Sequence, residues 1–138
     1  LLNFILPYVN KRDLTTPLEI CWSLSKDYSD YSLFVHTDIP KKVASLLFYI
    51  PSSEKHSQYG TSIYVPKEDF SDLNILKKNN ILRRMRMDFE LFHKLKTFDF
   101  LPNTLFGFIC SNDSFHSVEP LKEDFIERDI LSLTLIKK

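Results

Sequence analysis

The sequence predicts an all-β, double-sheet jelly roll carrying one inserted helix, and three observations predict it. About eight strand-length apolar segments, separated by polar or proline-marked breaks, lie between Leu18 and Ile136, the number that folds into two packed sheets. Aromatic residues make up 14% of the 138-residue chain while glycine occurs only 2 times, a balance suited to packed strands and not to a low-complexity chain. One segment, Asp69 to Lys94, departs from strand spacing and takes the period of a helix.

Each element has its own warrant. Leu18–Ser25 reads as a first strand, entered through Thr15-Thr16-Pro17 and left through the polar Lys26–Asp30. A hairpin leads into a strand over Tyr31–Asp38, and Ile39-Pro40-Lys41-Lys42 is a turn. Val43–Ile50 is a continuous apolar run, as in a strand buried on both faces, and Pro51 stops it. After the polar Ser52–Tyr59, Gly60–Val65 is a short strand. In the insert, Leu82, Met85, Phe89 and Phe92 recur at helical intervals and give one apolar stripe, with a change to strand alternation near His93 that carries on to Leu101. Three strands remain, Asn103–Cys110, Phe115–Glu119 and Arg128–Ile136; Gly107 inside the first of them marks a bulge or a close approach.

The chain is long enough for one cored domain and too short for two, so a single domain over residues 1–138 is expected. Its 18 basic and 18 acidic residues balance, which leaves no global field to draw it to nucleic acid or to an anionic membrane; neither partner is expected. Cys21 and Cys110 sit in apolar contexts without metal or redox spacing and read as buried free thiols, with Trp22 and the phenylalanines as core. The opening Leu1–Pro7 is apolar but lacks the basic start and cleavage site of a signal peptide, and no stretch reaches the length of a membrane span; a cytoplasmic location is the expectation. Leu at position 1, where an initiator Met would stand, points to a truncated N-terminus.

The chemistry-bearing stretch is Tyr31–Pro51. His36 and Asp38 stand two residues apart at the end of an apolar run, so in an extended strand they share a face. One imidazole and one carboxylate pointing the same way supply two of the three protein ligands of a non-haem Fe(II) centre. A distant His is needed as the third, and His116, in Ser114-Phe115-His116-Ser117-Val118-Glu119-Pro120, is the strongest candidate. The plain alternative is an imidazole and a carboxylate that merely hydrogen-bond at a strand end.

Around these residues the blocks Ser45–Pro51, Gly60–Lys67, Pro102–Phe108 and Ser114–Pro120 follow in an order that resembles the Fe(II)/2-oxoglutarate-dependent oxygenases, in particular the compact, prolyl-hydroxylase-like bacterial and phage members. The resemblance covers roughly residues 30 to 136 and is silent about the first residues and the insert after Lys67. It implies a double-stranded β-helix of the cupin-like kind, and a dioxygenase that hydroxylates an unidentified small-molecule or peptidyl substrate using Fe(II), 2-oxoglutarate and O2, with release of succinate and CO2. It assigns the metal to His36, Asp38 and His116. Relatives that halogenate lack the carboxylate ligand, so Asp38 argues for hydroxylation.

The resemblance further implies a buried cation for the distal carboxylate of 2-oxoglutarate, because an unpaired charge inside a barrel is costly. Arg128 follows His116 near where the family places it, and heads a strand face shared with Ile130, Ser132 and Thr134. The family's usual Arg-x-Ser pairing is absent because Ile130 takes the second position, which leaves Tyr49 or Ser132 as the hydroxyl partner. An exposed Arg paired with Glu127 and Asp129 is the alternative, in which case Lys41, Lys42 or Arg12 is the next anchor to consider. His56 and His93 read as surface or packing residues. The cations Lys77, Lys78, Arg83, Arg84 and Arg86 form either a solvated helix face or a lid or partner surface. A rival reading of the whole chain is a non-catalytic cupin-like module that binds a metal or ligand.

Overall fold

The computed structural model describes residues 16–67, 87–122 and 127–138, and in them the chain is almost wholly β. Eight strands run in order: β1 (Leu18–Tyr28), β2 (Leu33–His36), β3 (Lys42–Tyr49), β4 (Thr61–Pro66), β5 (Phe92–Phe98), β6 (Leu105–Ile109), β7 (His116–Val118) and β8 (Glu127–Lys137). They form two four-stranded antiparallel sheets, β1-β8-β3-β6 and β2-β7-β4-β5. Successive strands alternate between the two sheets except for β4 and β5, which pair within one, and this is the jelly roll expected from the strand count.

The sheets face each other across an apolar core. Tyr49, Phe106 and Ile130 from one sheet pack with Phe100 and with Ile63 and Phe98 of the other. Tyr49 also pins the layers together with a polar link: its hydroxyl donates to Thr61 Oγ1 at 2.7 Å and accepts from the Thr61 N–H at 3.1 Å. Such an interior hydroxyl keeps both of its partners inside the fold. A second apolar cluster of Val35, Tyr64, Met87, Phe92 and Phe115, with Phe89 and Leu91 packed on it, lies on the other face of the β2-β7-β4-β5 sheet.

That second cluster corrects the reading of the insert. The part described, from Met87 on, is not α-helix: Met87 bridges Val35, Phe89–Leu91 is a single 3-10 turn, and β5 starts at Phe92. Of the expected stripe, Phe89 and Phe92 cover the sheet together with Met87, while Leu82 and Met85 lie outside the described residues. Residues 68–86, including all five clustered cations, lie outside the described residues, as do Arg12 and the rest of the N-terminal stretch.

Three further differences have local causes. β1 continues past Ser25 to Tyr28 because its whole length ladders against β8, from Leu18↔Lys137 to Tyr28↔Glu127. β1 is also the edge of its sheet and is exposed on both faces over most of its length: Trp22 is 73% exposed rather than core, and Cys21 is an exposed thiol while Cys110 is a buried one. Gly107 pairs in unbroken register with Leu46, so it marks close approach and not a bulge; a Cβ there would meet the Leu46 side chain at 2.6 Å. The register shifts fall instead between Leu33 and His36, between Lys42 and Ala44, and between Ile63 and Tyr64.

Candidate metal and anion site

β2 and β7 are neighbours, and their register places His36 directly across from His116. Asp38 follows two residues beyond His36, and one ligand atom from each of the three side chains falls within 4.8 Å of the others. The imidazole centroids are 4.3 Å apart. Each ring is oriented by a carbonyl two residues upstream: Nδ1 lies 3.0 Å from the Phe34 oxygen in His36, and 2.9 Å from the Ser114 oxygen in His116. A carbonyl can only accept, so the hydrogen sits on Nδ1 and the lone pair on Nε2, the tautomer that can ligate a metal.

The electrostatics suit the same role. Burial, reinforced by the charge of the neighbouring His36, pushes the His116 pKa down to about 4, so the ring is neutral at physiological pH. Burial works to raise Asp38, but the hydrogen bond and charge of Lys42, with smaller help from His116 and Cys110, outweigh it and hold the carboxyl below its ordinary range. Lys42 Nζ is 2.6 Å from Asp38 Oδ1, while Ser45 Oγ and Cys110 Sγ reach Oδ2 at 3.2 and 3.3 Å. The Cys110 thiol is pushed up to about 12, first by burial and then by the Asp38 charge, so it acts as a donor and not as a thiolate. Two imidazoles held with Nε2 toward each other and toward one ionised carboxylate, all oriented by outer partners, are a donor set that fits a divalent transition metal such as Fe(II).

From this cluster a cavity of about 200 Å³ runs to Arg128, lined also by Asp27, Ser132 and Thr134. Arg128 is fully buried, at 1% exposure, which removes the exposed-arginine alternative. Phe100 and Tyr49 stack near its guanidinium, 5.4 and 5.9 Å from the ring centroids. Nη1 donates to Asp27 Oδ2 at 2.6 Å, whereas Nε and Nη2 have no hydrogen-bond partner among the described residues. Ser132 lines the cavity with its Oγ 2.8 Å from that of Ser23. Tyr49 is not among the lining residues, because its hydroxyl is engaged by Thr61, which is. Of the other histidines, His56 falls in a 3-10 turn and His93 on β5, and neither joins the cluster.

Asp27, Ser45 and Cys110 escaped the sequence reading. For Asp27 a signal existed: Ser23, Ser25 and Asp27 alternate with Trp22, Leu24 and Lys26, a period-two polar face that extends the first strand into what resembled a loop. Cys110 follows β6 and Ser45 lies on β3, and only the pairing of those two strands brings them to Asp38. The turn lysine Lys42 was considered only as an anion anchor and is instead the ion-pair partner of Asp38.

The fold and its site define a double-sheet jelly roll with a two-histidine, one-carboxylate cluster in its mouth. No protein-family model matches the chain, and no curated protein matches it. Among solved structures, the chain is similar in fold to a Pseudomonas putida prolyl-4-hydroxylase, with a TM-score of 0.51 at 15% identity, over 91% of this chain and 57% of that one. An oxidoreductase of the 2OG-Fe(II) oxygenase family from Burkholderia pseudomallei gives a TM-score of 0.47 at 11% identity, over 89% of this chain and 47% of that one. The chain thus spans about half the length of these neighbours. Among the described residues, no helix is long and apolar enough to cross a membrane.

Proposed function

We propose that this chain is an Fe(II)- and 2-oxoglutarate-dependent oxygenase that hydroxylates a small-molecule or peptidyl substrate. The observation that carries the reading is a single cavity with a two-imidazole, one-carboxylate donor set at one end and a fully buried arginine at the other. That pairing is what a ligand with a metal-chelating head and a distal carboxylate requires. The fold's likeness to a prolyl-4-hydroxylase supports the reading.

His36, Asp38 and His116 would hold the metal. Bound with 2-oxoglutarate and O2, it supplies the oxidising power for C–H hydroxylation, with 2-oxoglutarate converted to succinate and CO2. The chain's own contribution is placement. The Phe34 and Ser114 carbonyls hold both imidazoles in the ligating tautomer, and Lys42, Ser45 and Cys110 hold Asp38 ionised and oriented. Arg128 would receive the distal carboxylate, with Ser132 and Thr134 on the same strand face to solvate it. Leu33, Leu47, Phe108, Val118 and Ile130 form the apolar part of the wall and limit water around the reacting bond.

The test is 2-oxoglutarate-dependent succinate release by Fe(II)-reconstituted protein, with and without candidate substrates. Release that depends on His36 and His116 supports the oxygenase. Stoichiometric metal binding with no succinate under any condition would leave the non-catalytic binding module as the better account.

A further inference from the structure

Arg128 does not wait for a ligand uncompensated. Asp27 is its direct cross-strand partner in the β1–β8 ladder, and the two meet at 2.6 Å with side-chain exposures of 2% for Arg128 and 13% for Asp27. Both line the cavity that leads to the His36–Asp38–His116 cluster. The pair is neutral as it stands, so a second carboxylate brought to Arg128 would give the pocket a net negative charge in a buried setting. A buried charge without compensation is unfavourable, and two carboxylates sharing one cation repel. Nε and Nη2 of Arg128, unpartnered among the described residues, can still donate to the incoming carboxylate, so what that group meets is the competing charge of Asp27 and not a lack of donors.

Arg128 is the fixed member. Its guanidinium lies over the Phe100 and Tyr49 rings, and it stands on β8, which is paired on both sides by β1 and β3. Asp27 stands near the end of the edge strand β1, is the more exposed of the two, and has Arg128 as its hydrogen-bonding cation. The neighbouring Lys26 is turned to Glu127 and Asp129 and so offers Asp27 no ion pair.

We propose that Asp27 is a resident counter-ion that competes with an incoming carboxylate for the charge of Arg128, and that it thereby sets the affinity and selectivity of the cavity for ligands with a distal carboxylate. The inference rests on the reading of Arg128 as the anion anchor. It makes Asp27 a specificity-determining residue: it stabilises the empty pocket, discourages monovalent anions from lodging there, and weakens every ligand that needs Arg128. Asp27→Asn keeps the size and an acceptor for Arg128 while removing the competing charge.

Calorimetric titration of Mn(II)-loaded protein with 2-oxoglutarate, and with pyruvate as a 2-oxo acid lacking the distal carboxylate, separates the possibilities. Asp27→Asn should bind 2-oxoglutarate about tenfold or more tightly than wild type, the scale of removing a like charge from a desolvated site, with pyruvate unchanged. Asp27→Ser, also neutral and smaller, should act in the same direction and serves if the Asn protein folds poorly. The double variant Asp27→Asn/Arg128→Gln, which removes both charges of the pair, should lose the preference for 2-oxoglutarate over pyruvate. Weaker or unchanged 2-oxoglutarate binding in both single variants overturns the role of Asp27; if the double variant still loses the preference, Arg128 remains the anchor. A double variant that keeps the preference overturns the anchor itself, and the Asp27 inference with it.

Discussion

His36 and His116 lie opposite each other on antiparallel neighbours, with ring centroids 4.3 Å apart and each Nδ1 held by a backbone carbonyl. The arrangement fixes two Nε2 lone pairs on one side of the β2-β7-β4-β5 sheet, and Asp38 completes the set from just beyond β2. The expected outcome is binding of one Fe(II) or Mn(II) per chain. Alanine at His36, Asp38 or His116 should abolish tight binding, measured by metal content after dialysis. Unchanged content in the His36→Ala and His116→Ala proteins would remove the assignment.

The outer partners of Asp38 carry a smaller effect in the same direction. Ser45 and Cys110 both engage Oδ2, the oxygen opposite the one held by Lys42. Loss of a partner that orients a ligand typically lowers metal affinity about 10- to 100-fold. Cys110→Val, which keeps the volume and removes the donor, should fall in that range while the protein stays folded. Wild-type affinity in Cys110→Val and Ser45→Ala would show that Lys42 alone orients the carboxylate.

Metal-free protein should lose stability on the acid side. His116 has its pKa lowered by burial from the ordinary 6.5 to about 4, so the unfolded chain takes up a proton between those values that the folded chain refuses. Its contribution is complete above the unfolded pKa and is lost as pH falls toward the folded one, in total on the order of 3 kcal/mol. Asp38, held below its ordinary range, adds a loss of the same sign at lower pH. Urea midpoints at pH 7 and pH 4.5 for wild type and His116→Gln test this; the variant should lose less between the two. Parallel losses would show that another group governs acid unfolding.

Strand spacing and chain breaks made most of the fold legible before any coordinates. Val43, flanked by the Ile39–Lys42 turn and running apolar to Ile50, could be little other than the start of a central strand, and the His36–Asp38 spacing placed both groups on one face. What was not legible were relations across strands distant in sequence. Cys110 reads as an inert apolar thiol until β6 pairs with β3, and Asp27 reads as a loop residue until β1 ladders to its end against β8. Trp22 departs from expectation for the complementary reason: residue type predicts burial, but β1 is exposed on both faces over most of its length, which type alone does not reveal.

Gly60 and Gly107 should differ sharply in their tolerance of a methyl group. A Cβ at Gly60 would fall 1.5 Å from the Phe98 carbonyl oxygen, where backbone paired in the β4–β5 ladder cannot give way. At Gly107 the obstacle is the tip of the Leu46 side chain, which can change rotamer. Gly60→Ala is expected to cost about 3 kcal/mol or more and Gly107→Ala roughly 1 kcal/mol, the upper and lower ends of overpacking. Denaturant unfolding measures both; equal costs would mean that the β4–β5 end adjusts more freely than its ladder implies.

The Arg128–Asp27 pair makes a stability prediction that is independent of any ligand. Replacing Arg128 by Met removes the cation and leaves the Asp27 carboxylate inside the fold with its partner gone, at a cost of about 3 to 5 kcal/mol. Removing both charges together, in Asp27→Asn/Arg128→Met, should recover most of that loss, since a neutral pair of similar volume often replaces a buried ion pair at little cost. The difference is read as the coupling energy of a double-mutant cycle. Burial already raises the Asp27 pKa and Arg128 works against it, so without the arginine the carboxyl should rise further and take up a proton. The penalty in Arg128→Met should therefore shrink as pH falls through that raised pKa toward the ordinary carboxylate value, whereas the double variant should show no such relief. Additive single-variant costs at neutral pH would mean that solvent near the end of β1 already screens Asp27, and that the buried arginine is compensated by its aromatic neighbours instead.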